Sequence, residues 1–122
     1  MNVRNVRWVG IATHEYEAMV GFFRDVLGLQ TNFEEPTTIE FETSERDEIQ
    51  LMAPGDRYYD FFREHAAGPV PLFEVDNVAE ARRELEAAGV EIIGPSERDR
   101  SWEWIHVRAP DGTLFELASR LP

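Results

Sequence analysis

The side chains able to do chemistry in this chain are few, and their types are restrictive. All 12 basic residues are arginine, so neither a Schiff base nor the lysine of a phosphate-binding loop is available. Cysteine is absent, which removes thiol nucleophiles, disulfides and thiolate metal ligands. Any metal would therefore rest on histidine, carboxylate or amide oxygen. Among the three histidines, only His106 falls in a strand-like run, residues 101–108. The turn Ala109-Pro110-Asp111-Gly112 leads from it into a second strand, 113–119. If Ala109 faces Thr113 across that turn, His106 lies opposite Glu116 with Cβ atoms about 5 Å apart. Such a pair can order a pocket floor by hydrogen bonding, transfer protons, or join a third donor in holding a metal. His14, at a strand-to-helix junction, reads as a cap or a solvated residue, and His65, among charged neighbours, as a surface residue.

Those groups must be positioned by elements that the hydropathy pattern predicts. Residues 6–12 form a β-prone run. Over 15–27 the residues Met19, Phe22, Phe23, Val26 and Leu27 recur at three- and four-residue spacing, an amphipathic helix ended by Gly28 as a left-handed cap. Strands are predicted near 31–34, 37–43 and 48–53, and an aromatic connector helix over 56–67. The pattern then restarts: a strand over 69–75, a helix over 78–88 capped by Gly89, and strands over 90–93, 101–108 and 113–119. Gly28-Leu29 corresponds to Gly89-Val90, and residues 49–53 to 115–119, so the chain reads as a duplicated β-α-β-β-β unit.

The fold expected is α+β: two such modules, about 4–54 and 69–120 with a connector helix at 55–68, forming a curved mixed sheet with a concave cup and both helices outside. Alternation decides which side chains enter the cup. With Ile49 and Leu51 toward the helices, Gln50 and Met52 enter it. With Phe73, Ile105 and Leu117 likewise turned away, Glu74, Trp104, His106, Arg108 and Glu116 follow. Trp104 and Met52 would supply an apolar wall.

Composition bounds the partners. A chain of 122 residues and 14.1 kDa allows one domain and excludes a separate cofactor lobe. Twenty-four acidic against 12 basic residues give a net charge of −12, which repels nucleic acid and anionic membranes and concentrates cationic ligands. No apolar stretch approaches the roughly 20 residues of a membrane span, and residues 1–7 lack a signal-peptide core, so a cytoplasmic protein is expected.

Two segments carry a family resemblance. Phe22-Phe23-Arg24-Asp25-Val26-Leu27-Gly28-Leu29 and Ala109-Pro110-Asp111-Gly112-Thr113-Leu114-Phe115-Glu116-Leu117 resemble, with the duplicated topology, the vicinal oxygen chelate superfamily. That superfamily spans glyoxalase I, methylmalonyl-CoA epimerase, extradiol dioxygenases and bleomycin-resistance proteins. The resemblance implies metal ligands on the first, fourth, fifth and last strands, places read here as Arg7, Gln50, Val70 and Glu116. Only Gln50 and Glu116 can coordinate, short of the three protein ligands that an open catalytic site needs. The expectation is therefore a small-molecule-binding protein without a metal cofactor, a homodimer by resemblance, taking a cationic or aromatic compound. Its binding residues would be Arg7, Gln50, Met52, Glu74, Trp104, His106, Arg108 and Glu116. The alternative is a lyase, isomerase or dioxygenase holding one divalent ion on Gln50, His106 and Glu116, with His106 and Glu116 as candidate catalytic residues.

Overall fold

A computed structural model describes residues 1–122. Eight strands and three helices follow one another as β1 (Val3–Ala12), α1 (Tyr16–Gly21), β2 (Gln30–Glu35), β3 (Thr38–Glu42), β4 (Glu48–Met52), α2 (Tyr59–His65), β5 (Val70–Val75), α3 (Val78–Ala87), β6 (Ile92–Arg98), β7 (Trp102–Arg108) and β8 (Leu114–Arg120). The strands make one mixed sheet in the order β2-β3-β4-β1-β5-β8-β7-β6. The two halves repeat a single scheme, β1 running parallel to β4 and β5 parallel to β8, while β2–β3, β3–β4, β6–β7 and β7–β8 are antiparallel. The architecture is the α+β duplication expected from the sequence.

Contacts divide the chain into two compact units, Trp8–Val70 and a two-segment unit of Met1–Arg7 with Pro71–Pro122. The division falls within β1, so the first seven residues side with the second repeat, while α2 sides with the first. In Trp8–Val70, Ile39, Phe41 and Leu51 are fully buried beneath Val20, with Met19, Phe23 and Leu29 packed around them. In the other unit, Val75, Val78, Ala81, Ile105, Val107 and Leu117 form the core. The start of α3 is fixed twice. Asn77 accepts the Glu80 N–H at 2.9 Å, and the Val78 N–H donates to the buried Ser119 hydroxyl on β8 at 3.0 Å.

Two departures from the sequence reading have physical causes. Residues Phe22–Val26 continue α1 as a π-helical turn, in which the Leu27 N–H bonds the Phe22 carbonyl. The wider turn shifts the phase of the apolar stripe, so Phe23 and Leu29 pack inward while Phe22, Val26 and Leu27 are exposed, Val26 to 72%. β6 runs on through Gly94-Pro95, where the sequence predicts a stop at Ile93. Its place at the end of the sheet and a register shift between Ile93 and Glu97 let it tolerate a residue with no N–H to donate.

Candidate functional site

In the two-segment unit the β7–β8 ladder places His106 opposite Glu116, Trp104 opposite Ala118 and Trp102 opposite Arg120. The turn sets this register: the Ala109 N–H bonds the Thr113 carbonyl, and the Gly112 N–H, with φ at 90°, bonds that of Ala109. The Thr113 N–H donates to Asp111, holding that carboxyl below its usual range. Period-2 alternation then leaves one face with Ile105 and Leu117 in the α3 core and the opposite face polar.

On that polar face, Nε2 of His106 stands 3.2 Å from Oε2 of Glu116, and each residue is only 4% exposed. Burial raises the Glu116 pKa, and contact with His106 pulls it partly back. Leu72 flanks Glu116 on β5, and the next row holds Glu74, Ala118 and Trp104. Glu74, 7% exposed, accepts the Asn5 amide at 3.1 Å and lies 3.7 Å from the Arg7 guanidinium. Arg7 and Arg120 both stack on Trp102, their guanidinium carbons 4.8 and 4.6 Å from its ring centroid. The face thus brings a buried imidazole–carboxyl pair, a second buried carboxylate, two indoles and two guanidiniums onto three adjoining strands and the start of β1.

In Trp8–Val70 the corresponding face is built on a chain of hydrogen bonds. The Trp8 indole N–H donates to Oε1 of Gln50 at 3.1 Å, Nε2 of Gln50 donates to Oγ1 of Thr38 at 2.9 Å, and that hydroxyl donates to the Leu51 carbonyl at 2.8 Å. Gly10 makes the Trp8 pose possible. A Cβ there would overlap Cη2 of the indole and lie 2.6 Å from Cζ2 and Cζ3. Phe62 of α2 packs at 6.2 Å from the Trp8 ring, and Met52 is buried between Ala12 and Thr38.

Of the eight binding residues expected from the sequence, Arg7, Glu74, Trp104, His106, Arg108 and Glu116 belong to the two-segment unit, and Gln50 and Met52 to the other. Arg108 turns back to donate to the Gly112 carbonyl at 2.9 Å, tying its own hairpin. The reading of Arg7 as the first-strand ligand place is corrected by register: Trp8, opposite Glu48, is the β1 side chain bonded to Gln50. Arg7 also lies 3.7 Å from Glu74, a carboxylate not among the partners expected for it. Sequence reasoning missed Trp8 and Asn5. The signal for Trp8 was an aromatic two residues before a glycine in one strand, the spacing at which a ring covers a bare backbone position.

The donor chemistry does not fit a family-type divalent ion. Trp8 offers an N–H and no lone pair, Val70 is aliphatic and buried, and Gln50 has its amide oxygen engaged by Trp8. No group of three or more His, Asp or Glu side chains is arranged to hold a metal ion.

The family model for the Glyoxalase/Bleomycin resistance protein/Dioxygenase superfamily matches residues 5–117, and the chain belongs to that superfamily. No curated protein matches it. Among solved structures, it is similar to methylmalonyl-CoA epimerase from Mycobacterium tuberculosis, with a TM-score of 0.77, 23% identity, and coverage of 98% of this chain and 90% of that one. The hypothetical protein BH1468 from Bacillus halodurans gives a TM-score of 0.78 at 18% identity, covering 97% and 95%. The Mn(II)-bound glyoxalase from Novosphingobium aromaticivorans gives 0.73 at 25% identity over 96% of this chain and 39% of that one. No helix is long and apolar enough to cross a membrane.

Proposed function

We propose that the protein binds a small molecule on the polar face of β5, β7 and β8, without the divalent ion typical of its superfamily. The observation that carries this reading is the side-chain chemistry at the first-strand place: an indole N–H bonded to Gln50 where a lone-pair donor would be needed. Trp104 supplies an apolar surface, and Glu74, His106 and Glu116 supply polar groups that orient a ligand.

A second reading is favoured by the buried His106–Glu116 pair itself. A carboxyl raised by burial and an imidazole 3.2 Å away can pass a proton between them, as general acid–base catalysis requires. On this reading the protein is a metal-independent enzyme for proton transfer, such as an isomerisation next to a carbonyl, in which one member of the pair takes a proton from the carbon beside the carbonyl and the other returns a proton to the substrate.

One thermal-unfolding series separates these readings from the metal-dependent one. Protein purified without chelator is titrated with Ni, Mn, Fe and Zn salts and with a panel of small aromatic and polar compounds. A specific ion at 100 times its Kd would add about 2.7 kcal/mol, or about 10 °C in Tm for a chain of this size. The expected result is no ion-specific rise, together with compound-induced rises that His106→Ala abolishes. Near-unit metal stoichiometry with a 10 °C rise would overturn the proposal. Turnover by a bound compound, lost in both His106→Ala and Glu116→Gln, would select the enzyme over the binding protein.

A further inference from the structure

Trp102, Arg120 and Arg7 form a cluster that the His106–Glu116 pair does not use. Trp102 opens β7 and is paired with Arg120 across the ladder. Both guanidiniums stack within 4.8 Å of its ring centroid. Arg7 has Glu74 at 3.7 Å, whereas Arg120, exposed at the end of β8, makes no ion pair. In a chain with 24 acidic and 12 basic residues, charge neutralisation alone would not bring two cations to one indole and leave Arg120 without a carboxylate.

We infer that this corner is an oxyanion-binding subsite, so that the ligand is a small organic acid bearing a carboxylate or a phosphate. The inference rests on the reading of this face as the ligand site and adds the ligand's chemical class. Stacking on Trp102 holds the Arg120 guanidinium, which has no carboxylate partner, with its N–H edge available for a two-point contact with oxygen. The subsite shares its face with the acid–base pair. Arg120 stands four residues along β8 from Glu116, about 13 Å at strand spacing, and Arg7 reaches the intervening row at Glu74. A molecule anchored by its oxyanion at this corner would extend along β8 toward His106. The net charge of −12 favours cations at a distance, but screening over about 8 Å leaves the field at the corner to its own guanidiniums.

The test is a ¹H–¹⁵N NMR titration of the full chain with benzoate and with phenyl phosphate. Benzamide, benzylamine and sodium chloride at matched ionic strength are the controls. Benzoate or phenyl phosphate should shift the Trp102 indole N–H and the Arg120 Nε–H saturably while the controls do not, and the probe that binds tighter names the oxyanion. Arg120→Gln should weaken binding about tenfold, the fold-change of one charge-assisted hydrogen bond. Arg120→Lys should recover only part of it, because an ammonium lacks the two-point fork. Shifts that chloride reproduces, that fail to saturate, or that survive Arg120→Gln with unchanged Kd would overturn the inference. Compounds that bind through His106 with no anion preference would sink the subsite and spare the proposed function. Saturable anion binding at Arg120, with no compound ever sensitive to His106→Ala, would do the reverse.

Discussion

Replacing Glu116 by glutamine isolates the electrostatics of the buried pair. Folded Glu116 holds its proton more tightly than an ordinary glutamate, whose pKa is 4.5, because burial outweighs the pull of His106. Between 4.5 and the higher folded value the native state binds more protons than the unfolded state, so stability falls as pH rises. The contribution is fully present below the unfolded value and lost as pH climbs through the folded one. One proton sets the limit: wild type should lose up to about 1.4 kcal/mol per pH unit relative to Glu116→Gln across that window, then run parallel to it. Subtracting the variant cancels the general self-repulsion of the net negative charge. The assay is urea unfolding from pH 5 to 8.5, followed by the fluorescence of Trp8, Trp102 and Trp104. In a His106→Gln background the opposing contact is gone, so the sloping window should extend to higher pH. A difference that is flat, or that rises with pH, would mean His106 governs Glu116 and would refute the desolvation argument.

Three further outcomes follow from local geometry. Gly10→Ala should cost about 1–3 kcal/mol by forcing the Trp8 indole off β1, read as a lower urea midpoint together with a changed Trp8 emission. Tyr16→Phe should be neutral or stabilising by up to about 1 kcal/mol, because the Tyr16 hydroxyl is buried without a hydrogen-bond partner; burial, then Glu34 and Asp56, also raises its pKa. Thermal unfolding decides that case, and a loss above about 1 kcal/mol would contradict it. Asn77→Ala should cost about 1 kcal/mol and speed amide exchange at Glu80, whose N–H the side chain caps.

Much of this fold was legible because its signals are local. The turn at 109–112 and strict alternation specify the pairing of His106 with Glu116, since a one-residue slip would turn Ile105 and Leu117 out of the core. The helix caps at Gly28 and Gly89 were legible for the same reason, both having positive φ. What stayed hidden depends on contacts distant in sequence. Nothing near Arg7 announces Glu74 or Trp102 as its neighbours, and nothing near Gln50 announces Trp8. The π-helical turn was hidden differently. Its sequence satisfies helical periodicity, and one wider hydrogen-bonded ring suffices to send Phe22 and Val26 outward.

The division of β1 bears on how the chain assembles as it is made. Trp8–Val70 is one uninterrupted stretch, whereas the other unit joins Met1–Arg7 to residues that follow Pro71. A growing polypeptide can finish the uninterrupted piece while its leading heptapeptide still lacks a docking edge, because Glu74 and Trp102, the anchors for Asn5 and Arg7, have yet to emerge. Protease protection of stalled nascent chains of increasing length should accordingly appear first within Trp8–Val70 and last at the heptapeptide.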